Sequence, residues 1–323
     1  MADWLKKNWF IAGLVATVLL AWLFPEPGAR GGVLQSEDTT RLGVILIFLF
    51  QGLTLSPEAV KTGLMQWRLH IFVQVFIFLV IPLAALVLIF TASPVLSREL
   101  STGFFFLAVL PTTIATSVAY TAMTKGNVAG AVFNSSLANV AGIFITPLWV
   151  SLWMQAGGVS MPLGELFLNI SKLLLAPFVI GQILRPVVYK QADALKKYFS
   201  MTSSLIIIFI VYAAFCNSWE DGIWEQQGLM AVLSAGGGSA FFLALVLGLV
   251  AIGVKLFRFE RQNAMAALFC APQKTMAAGV PMANLMFEHH AGLGMILLPL
   301  MFYHLLQLLV GGAMVNRINA AGK

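Results

Sequence analysis

Residues 269–287 read Phe-Cys-Ala-Pro-Gln-Lys-Thr-Met-Ala-Ala-Gly-Val-Pro-Met-Ala-Asn-Leu-Met-Phe, and the rest of the chain is read outward from them. The stretch is embedded in apolar sequence. Yet its middle carries Pro272, Gln273, Lys274 and Thr275, then Gly279, Pro281 and Asn284. A lipid-facing helix carries no such run, because backbone groups freed by proline in a bilayer need internal partners or a wet cavity. A lysine at membrane depth is expensive unless it is paired, hydrated or functional. The stretch is therefore predicted to be two half-helices meeting at Gln273–Thr275 and facing protein. A second break of the same kind lies at Pro111-Thr-Thr-Ile-Ala-Thr-Ser117 and ends at Lys125-Gly-Asn127. Two interrupted spans in corresponding positions point to the binding site of a secondary transporter.

Composition agrees with a membrane reading. The 323 residues are 59% hydrophobic and only 10% charged, whereas a soluble chain carries about 25% charged residues. An all-α polytopic membrane protein follows, one transporter domain over 1–323 with no separate soluble domain. The net charge of +6 does not point to nucleic acid, since the basic residues lie in short loops. Cys216 and Cys270 fall in or near spans and read as small packed thiols rather than a disulfide or metal pair. The apolar run from Trp9 to Phe24 lacks a small-residue cleavage site and ends in Pro25-Glu-Pro27, so it reads as a span and not a leader.

Ten spans are predicted: 8–24, 42–55, 69–90, 100–123, 127–154, 166–184, 200–217, 229–256, 263–287 and 293–315. The fourth breaks at Pro111–Ser117 and the ninth at Pro272–Thr275. With the N-terminus inside, the inner segments hold Lys6, Lys7, Lys61, Arg68, Lys125, Arg185, Lys190, Lys196, Lys197, Lys255, Arg258, Arg261, Arg317 and Lys323. The outer loops hold Arg30, Arg41 and Arg98 alone. That asymmetry places both termini in the cytoplasm, with the loop Arg185–Ser200 inside. The expected location is a bacterial inner membrane, multi-pass.

The order of features repeats. Residues 8–154 and 165–316 each carry the broken span fourth, and the fifth span of each contains Gly-x-x-x-x-Pro-Leu, at Gly142–Leu148 and Gly294–Leu300. Five spans per half requires the second copy to be inverted. Spans 4 and 9 are then expected to cross near the midplane, with helix ends aiming partial charges into one cavity. The candidate substrate- and ion-binding residues are Thr112, Thr113, Thr116, Ser117, Asn134, Ser135, Asn139, Gln273, Lys274, Thr275 and Asn284. Ser135 and Asn139 share a helix face at i, i+4. The span-5 polar residues serve equally well as interhelical glue. His70 and His304 read as packed or interfacial histidines.

These motifs resemble the bile acid:sodium symporter (BASS) superfamily, in its divergent bacterial SBF-like branch. The likeness covers nearly the whole chain and rests on Trp67-Arg-Leu-His70, Leu110-Pro-Thr-Thr, Gly126-Asn127, Gly142–Leu148 and Phe269-Cys…Lys274-Thr…Gly279-Val-Pro-Met-Ala-Asn284. It implies ten helices, a core domain holding the crossing helices, a panel domain of spans 1, 2, 6 and 7, and alternating access. The sodium-binding Ser-Asn of coupled members falls on Thr116 and Ser117, and a threonine ligand falls on Ser135. The Glu-x-x-x-Gln-Asn of their second break falls on Phe269, Gln273 and Lys274. The carboxylate is thus replaced by Phe269 and an ammonium is added at Lys274. None of the thirteen acids lies within a predicted span.

An enzyme is not expected, because the spans offer no acid from which to build a catalytic constellation. The expected function is secondary active transport of a small organic anion. No cofactor, nucleic acid or obligate protein partner is implied beyond the lipid bilayer. Either proton or sodium is the coupling ion. In the first case Lys274 occupies the sodium position. In the rival case one weak sodium sits at Thr116, Ser117, Ser135 and Gln273. A third reading is a receptor-like protein on a transporter scaffold.

Overall fold

The computed structural model describes residues 9–55, 66–92, 96–157, 171–287, 290 and 292–321. Lys6, Lys7, Lys61 and Lys323 of the inner basic set lie outside the described residues, as does the start of predicted span 6. The described chain is helical with no strand. Five helices are long and apolar enough to cross a membrane, and the pair Arg98–Val109 and Ile114–Met123, bent by 56°, makes a sixth. Ala12–Leu23 and Met276–Met286 are shorter apolar helices. This is a polytopic membrane protein.

The chain divides into two units, Met1–Leu55, Pro162–Met230 and Val280–Leu297 in unit one, and Ser56–Met161, Ala231–Gly279 and Leu298–Lys323 in unit two. Unit one holds predicted spans 1, 2, 6 and 7 together with the end of span 9 and the start of span 10. Its helices are α1 (Trp9–Leu23), α2 (Ser36–Thr54) and α8 (Ala176–Glu220). The backbones of α2 and α8 meet closely at Gly52 and Gly181, where a Cβ on either would strike the partner's main chain. Small residues permit this approach in membranes. Gln182 then donates to the carbonyls of Gly52 and Leu55, and Arg185 to that of Leu53.

Most of the predicted loop Arg185–Ser200 is instead helical, and the run Ala176–Glu220 is two helices that meet at a kink at Val188 (φ −111°, ψ 17°). Pro186 supplies the weak point, since it lacks an N–H and crowds the preceding turn. The residues after it, Tyr189–Tyr198, are polar but rich in Lys, Gln, Ala and Leu, which favour helix. Polarity there marks where the chain leaves lipid, not where the helix stops. Span 2 likewise begins earlier than its apolar run, at Ser36.

Unit two contains α3 (Trp67–Val75), a π-turn at Phe76–Val80 and α4 (Ile81–Ala92), which together form predicted span 3. It also contains α5 (Arg98–Val109), α6 (Ile114–Met123), α7 (Val128–Ala156), α10 (Arg261–Cys270), most of α9 (Ile223–Leu256) and most of α12 (Leu293–Ala321). Helix α11 (Met276–Met286) begins in this unit. Pro82 explains the π-turn. It has no N–H to return, so Ile77 and Phe78 are left with free carbonyls, and a π-turn relieves the strain. The Trp149 indole N–H takes the Phe78 oxygen at 2.9 Å. The Ile77 oxygen has a different partner, described next.

Candidate functional site at the broken helices

Both predicted breaks are present, α5/α6 at 110–113 and α10/α11 at 271–275. In lipid every main-chain carbonyl released by a break needs a donor, and at the first break seven of them can be traced. Leu107 accepts from the Leu110 N–H at 3.4 Å. Val109 accepts from the Thr146 hydroxyl at 2.7 Å. Ala108 and Leu110 each accept from Lys274 Nζ at 2.7 Å. Pro111 accepts from the Thr275 N–H at 3.0 Å. Thr112 accepts from Asn139 Nδ2 at 2.8 Å, and Thr113 from the Ser117 hydroxyl at 2.5 Å. The second break thus supplies three of the donors that close the first.

Lys274 is completely buried. Its third contact is the Ile77 carbonyl at 3.5 Å, the one exposed by Pro82. An ammonium has three donors and no acceptor, and here it faces three carbonyl oxygens. Two of them belong to the C-terminal end of α5, where the helix carries about half a negative charge. The lysine's main chain is fixed as tightly. Its N–H donates to Gln307 Oε1 at 2.8 Å and its carbonyl accepts from Gln307 Nε2 at 2.9 Å. Next to it, the Pro272 carbonyl accepts from the Tyr303 hydroxyl at 2.6 Å.

The hydroxyls of α6 face the same break. Thr116 donates to Gln273 Oε1, Ser117 lies 3.5 Å from that oxygen, and Thr112 and Ser117 are 3.1 Å apart. The α7 helix approaches Pro111 through Gly142, where a Cβ would lie 2.8 Å from the proline ring. Phe269 is buried against Tyr120, with ring centroids 5.6 Å apart. A small apolar cavity beside the break is lined by Phe269, Pro272, Gln273 and Gln307 together with Leu243 and Met314.

The predicted residues therefore separate into groups. Thr112, Thr116, Ser117, Asn139, Gln273, Lys274 and Thr275 form one hydrogen-bonded cluster, with Thr113 in it through its carbonyl. Ser135 is attached to its margin, paired with Cys270 (Oγ–Sγ 3.8 Å) and accepting from Asn139 at its carbonyl. Asn134 instead bonds to His70 and Gln74, which ties α7 to α3. Asn284 belongs to unit one, where it lines a polar cavity with Arg30, Glu37, Asn217 and His290. Sequence reasoning did not single out Gln307, Tyr303, Trp149 or Thr146. Their only signal was a polar atom inside an apolar span, shared with every residue that merely glues helices.

Comparison with known proteins identifies the family. Residues 8–320 match the profile of the SBF-like CPA transporter family. The chain belongs to that family. It is 34% identical to the Pseudomonas aeruginosa protein PA2026, with 95% of this chain and 92% of that one covered. Identity to "Putative symporter YfeH" of Escherichia coli K12 is also 34%, over 95% and 92% of the two chains. Identity to "Sodium/bile acid cotransporter 7" of Danio rerio is 31%, over 97% and 94%. The protein is a membrane transporter and not an enzyme.

Proposed function

We propose that this SBF-like transporter moves a small organic anion by alternating access, with Lys274 standing where sodium-coupled relatives hold an ion. The observation that supports this reading is the set of three carbonyls around Lys274 Nζ. A fixed ammonium neutralises the half-helix end and holds the two breaks together, which is the electrostatic work of a bound cation. It also needs no sodium gradient. If the amine gave up a proton during the cycle, one carbonyl would lose its donor and the crossover would loosen, so proton movement is the coupling that fits this geometry. The substrate itself is expected to meet the α6 hydroxyls and Gln273.

The ten-span, inverted-repeat architecture is part of the same proposal. In it, α1, α2, α7, α9 and α12 are one span each, α3 with α4 is another, the broken pairs α5/α6 and α10/α11 are spans 4 and 9, and α8 folds at Val188 into spans 6 and 7. Both termini face the cytoplasm of a bacterial cell, as the basic residues require. A cysteine placed at position 193 should then stay unlabelled by an impermeant maleimide in intact cells. Labelling from outside would reverse the topology.

A second reading draws on the Danio rerio relative, named sodium/bile acid cotransporter 7. Sodium would be a co-substrate held by Thr116, Ser117, Ser135 and Gln273. These are neutral oxygens, already turned on one another or on Cys270, and a hard cation held without a carboxylate is held weakly. Purified protein in vesicles, tested against organic anions under separate sodium and pH gradients, separates the readings. Uptake driven by the pH gradient and indifferent to sodium is expected. Uptake that follows sodium supports the second reading, and binding without flux supports a receptor-like protein.

A further inference from the structure

Helix α9 ends in a hydrogen-bond pattern that normally calls for glycine. The Arg258 N–H bonds to the Lys255 carbonyl at 3.2 Å and the Phe259 N–H to the Val254 carbonyl at 3.4 Å. This is the Schellman arrangement, whose residue after the cap is left-handed and usually glycine. Here it is Arg258, at φ 51°. A side chain in that conformation costs about 1 kcal/mol or more. The turn is held by rings: Phe72 packs on Phe257 and Phe259 at 5.3 and 5.1 Å, and these two stack on each other. Where glycine would be cheaper, the chain places a guanidinium at the mouth of a cavity.

Arg258 lines an open cavity with Gln66, Trp67, Arg68, Phe259, Glu260 and Asn263. Among the described residues no acid forms an ion pair with Arg68 or Arg258. Two helix N-termini open onto the same space, α3 after Gln66 and α10 after Glu260, and neither cap residue makes a side-chain capping bond. Gln66 and Asn263 instead accept from the Asn127 amide. First-turn N–H groups of such helices lack intrahelical partners and favour anions. From the cavity an exposed apolar stripe runs along the span: Trp67, Ile71, Val75 and Leu79, spaced one turn apart. Leu256 and Phe257, next to Arg258 in the chain, also expose apolar surface.

We infer that this cavity binds the headgroup of an anionic phospholipid. Arg68 and Arg258 hold the phosphate, Glu260 accepts from headgroup hydroxyls, and an acyl chain follows the Trp67–Leu79 stripe. A free phosphate would use the arginines but not the stripe. The site lies where α3 begins and α9 ends, at the ends of two spans long and apolar enough to cross a membrane.

Native mass spectrometry of the full-length protein in neutral detergent, titrated with dioleoyl phosphatidylglycerol or dioleoyl phosphatidylcholine, tests this. Phosphatidylglycerol should bind preferentially. Arg258→Gly should melt no lower than wild type without lipid, because glycine suits the cap, yet bind phosphatidylglycerol about five-fold more weakly, the worth of one surface arginine at an anionic headgroup. Arg68→Gln should lose a similar factor, and Arg317→Gln none. Equal binding of the two lipids, or wild-type binding by both the Arg258→Gly and Arg68→Gln proteins, would refute the site. Inorganic phosphate that displaces the lipid at equal concentration would refute the assignment to a lipid.

Discussion

Lys274→Met should abolish uptake, by about 100-fold or more, while wild-type uptake proceeds without sodium. Methionine keeps the length and most of the volume of lysine but has neither charge nor donor. Three buried carbonyls, those of Ile77, Ala108 and Leu110, would then lose the Nζ contact. An orphaned buried polar group costs about 1–3 kcal/mol. A loss of about 3 kcal/mol in the closed crossover lowers the population able to bind by about 100-fold. Lys274→Arg separates charge from shape. It keeps the positive charge, but its planar fork does not suit three converging carbonyls, so it should fold and transport at an intermediate rate. Folding is checked by size exclusion and thermal melting before uptake is scored. Sodium-dependent wild-type uptake that survives in a folded Lys274→Met protein would reject the ion-surrogate role.

The two breaks were legible in the sequence because proline and polar residues contradict an apolar span at one point. Lys274 was legible for the same reason. What surrounds it was not. Its partners are backbone carbonyls, which every residue has, and they become available only through Pro82 in α4 and through the end of α5. No spacing rule connects position 77 to position 274. Gln307 and Tyr303 were equally hidden, since a lone amide or hydroxyl in an apolar helix looks the same whether it serves a break or a neighbouring helix. Asn134 shows the converse. It sits one residue from Ser135 on the chain but on another face of α7, and its bonds to His70 and Gln74 brace α3. The helical character of residues 189–198 was missed because polar residues were read as a loop, when their propensities favoured helix.

Gln307→Leu should lower the melting temperature by about 5 °C and reduce uptake while leaving some of it. The side chain pairs with both main-chain groups of Lys274, at 2.8 and 2.9 Å, much as a neighbouring strand would. Helix α10 has ended at Cys270, so neither group retains a helical partner in that helix. Leucine is close in size and removes both bonds, together with the 3.0 Å contact to His304 Nδ1, without opening a large cavity. Interhelical hydrogen bonds in membranes average only about 0.6 kcal/mol each, because the unfolded chain finds other partners. Two of those would shift melting by a degree or two. Orphaning two buried backbone groups costs more, about 2–6 kcal/mol together, and roughly 3 kcal/mol corresponds to about 5 °C for a chain of this size. The smaller shift would mean that water enters and satisfies the backbone. The larger one makes Gln307 the clamp that sets the position of Lys274. Uptake should fall less than in Lys274→Met, since the ammonium and its three acceptors remain. A Gln307→Leu protein that melts and transports like wild type would show that the break holds its shape without the clamp.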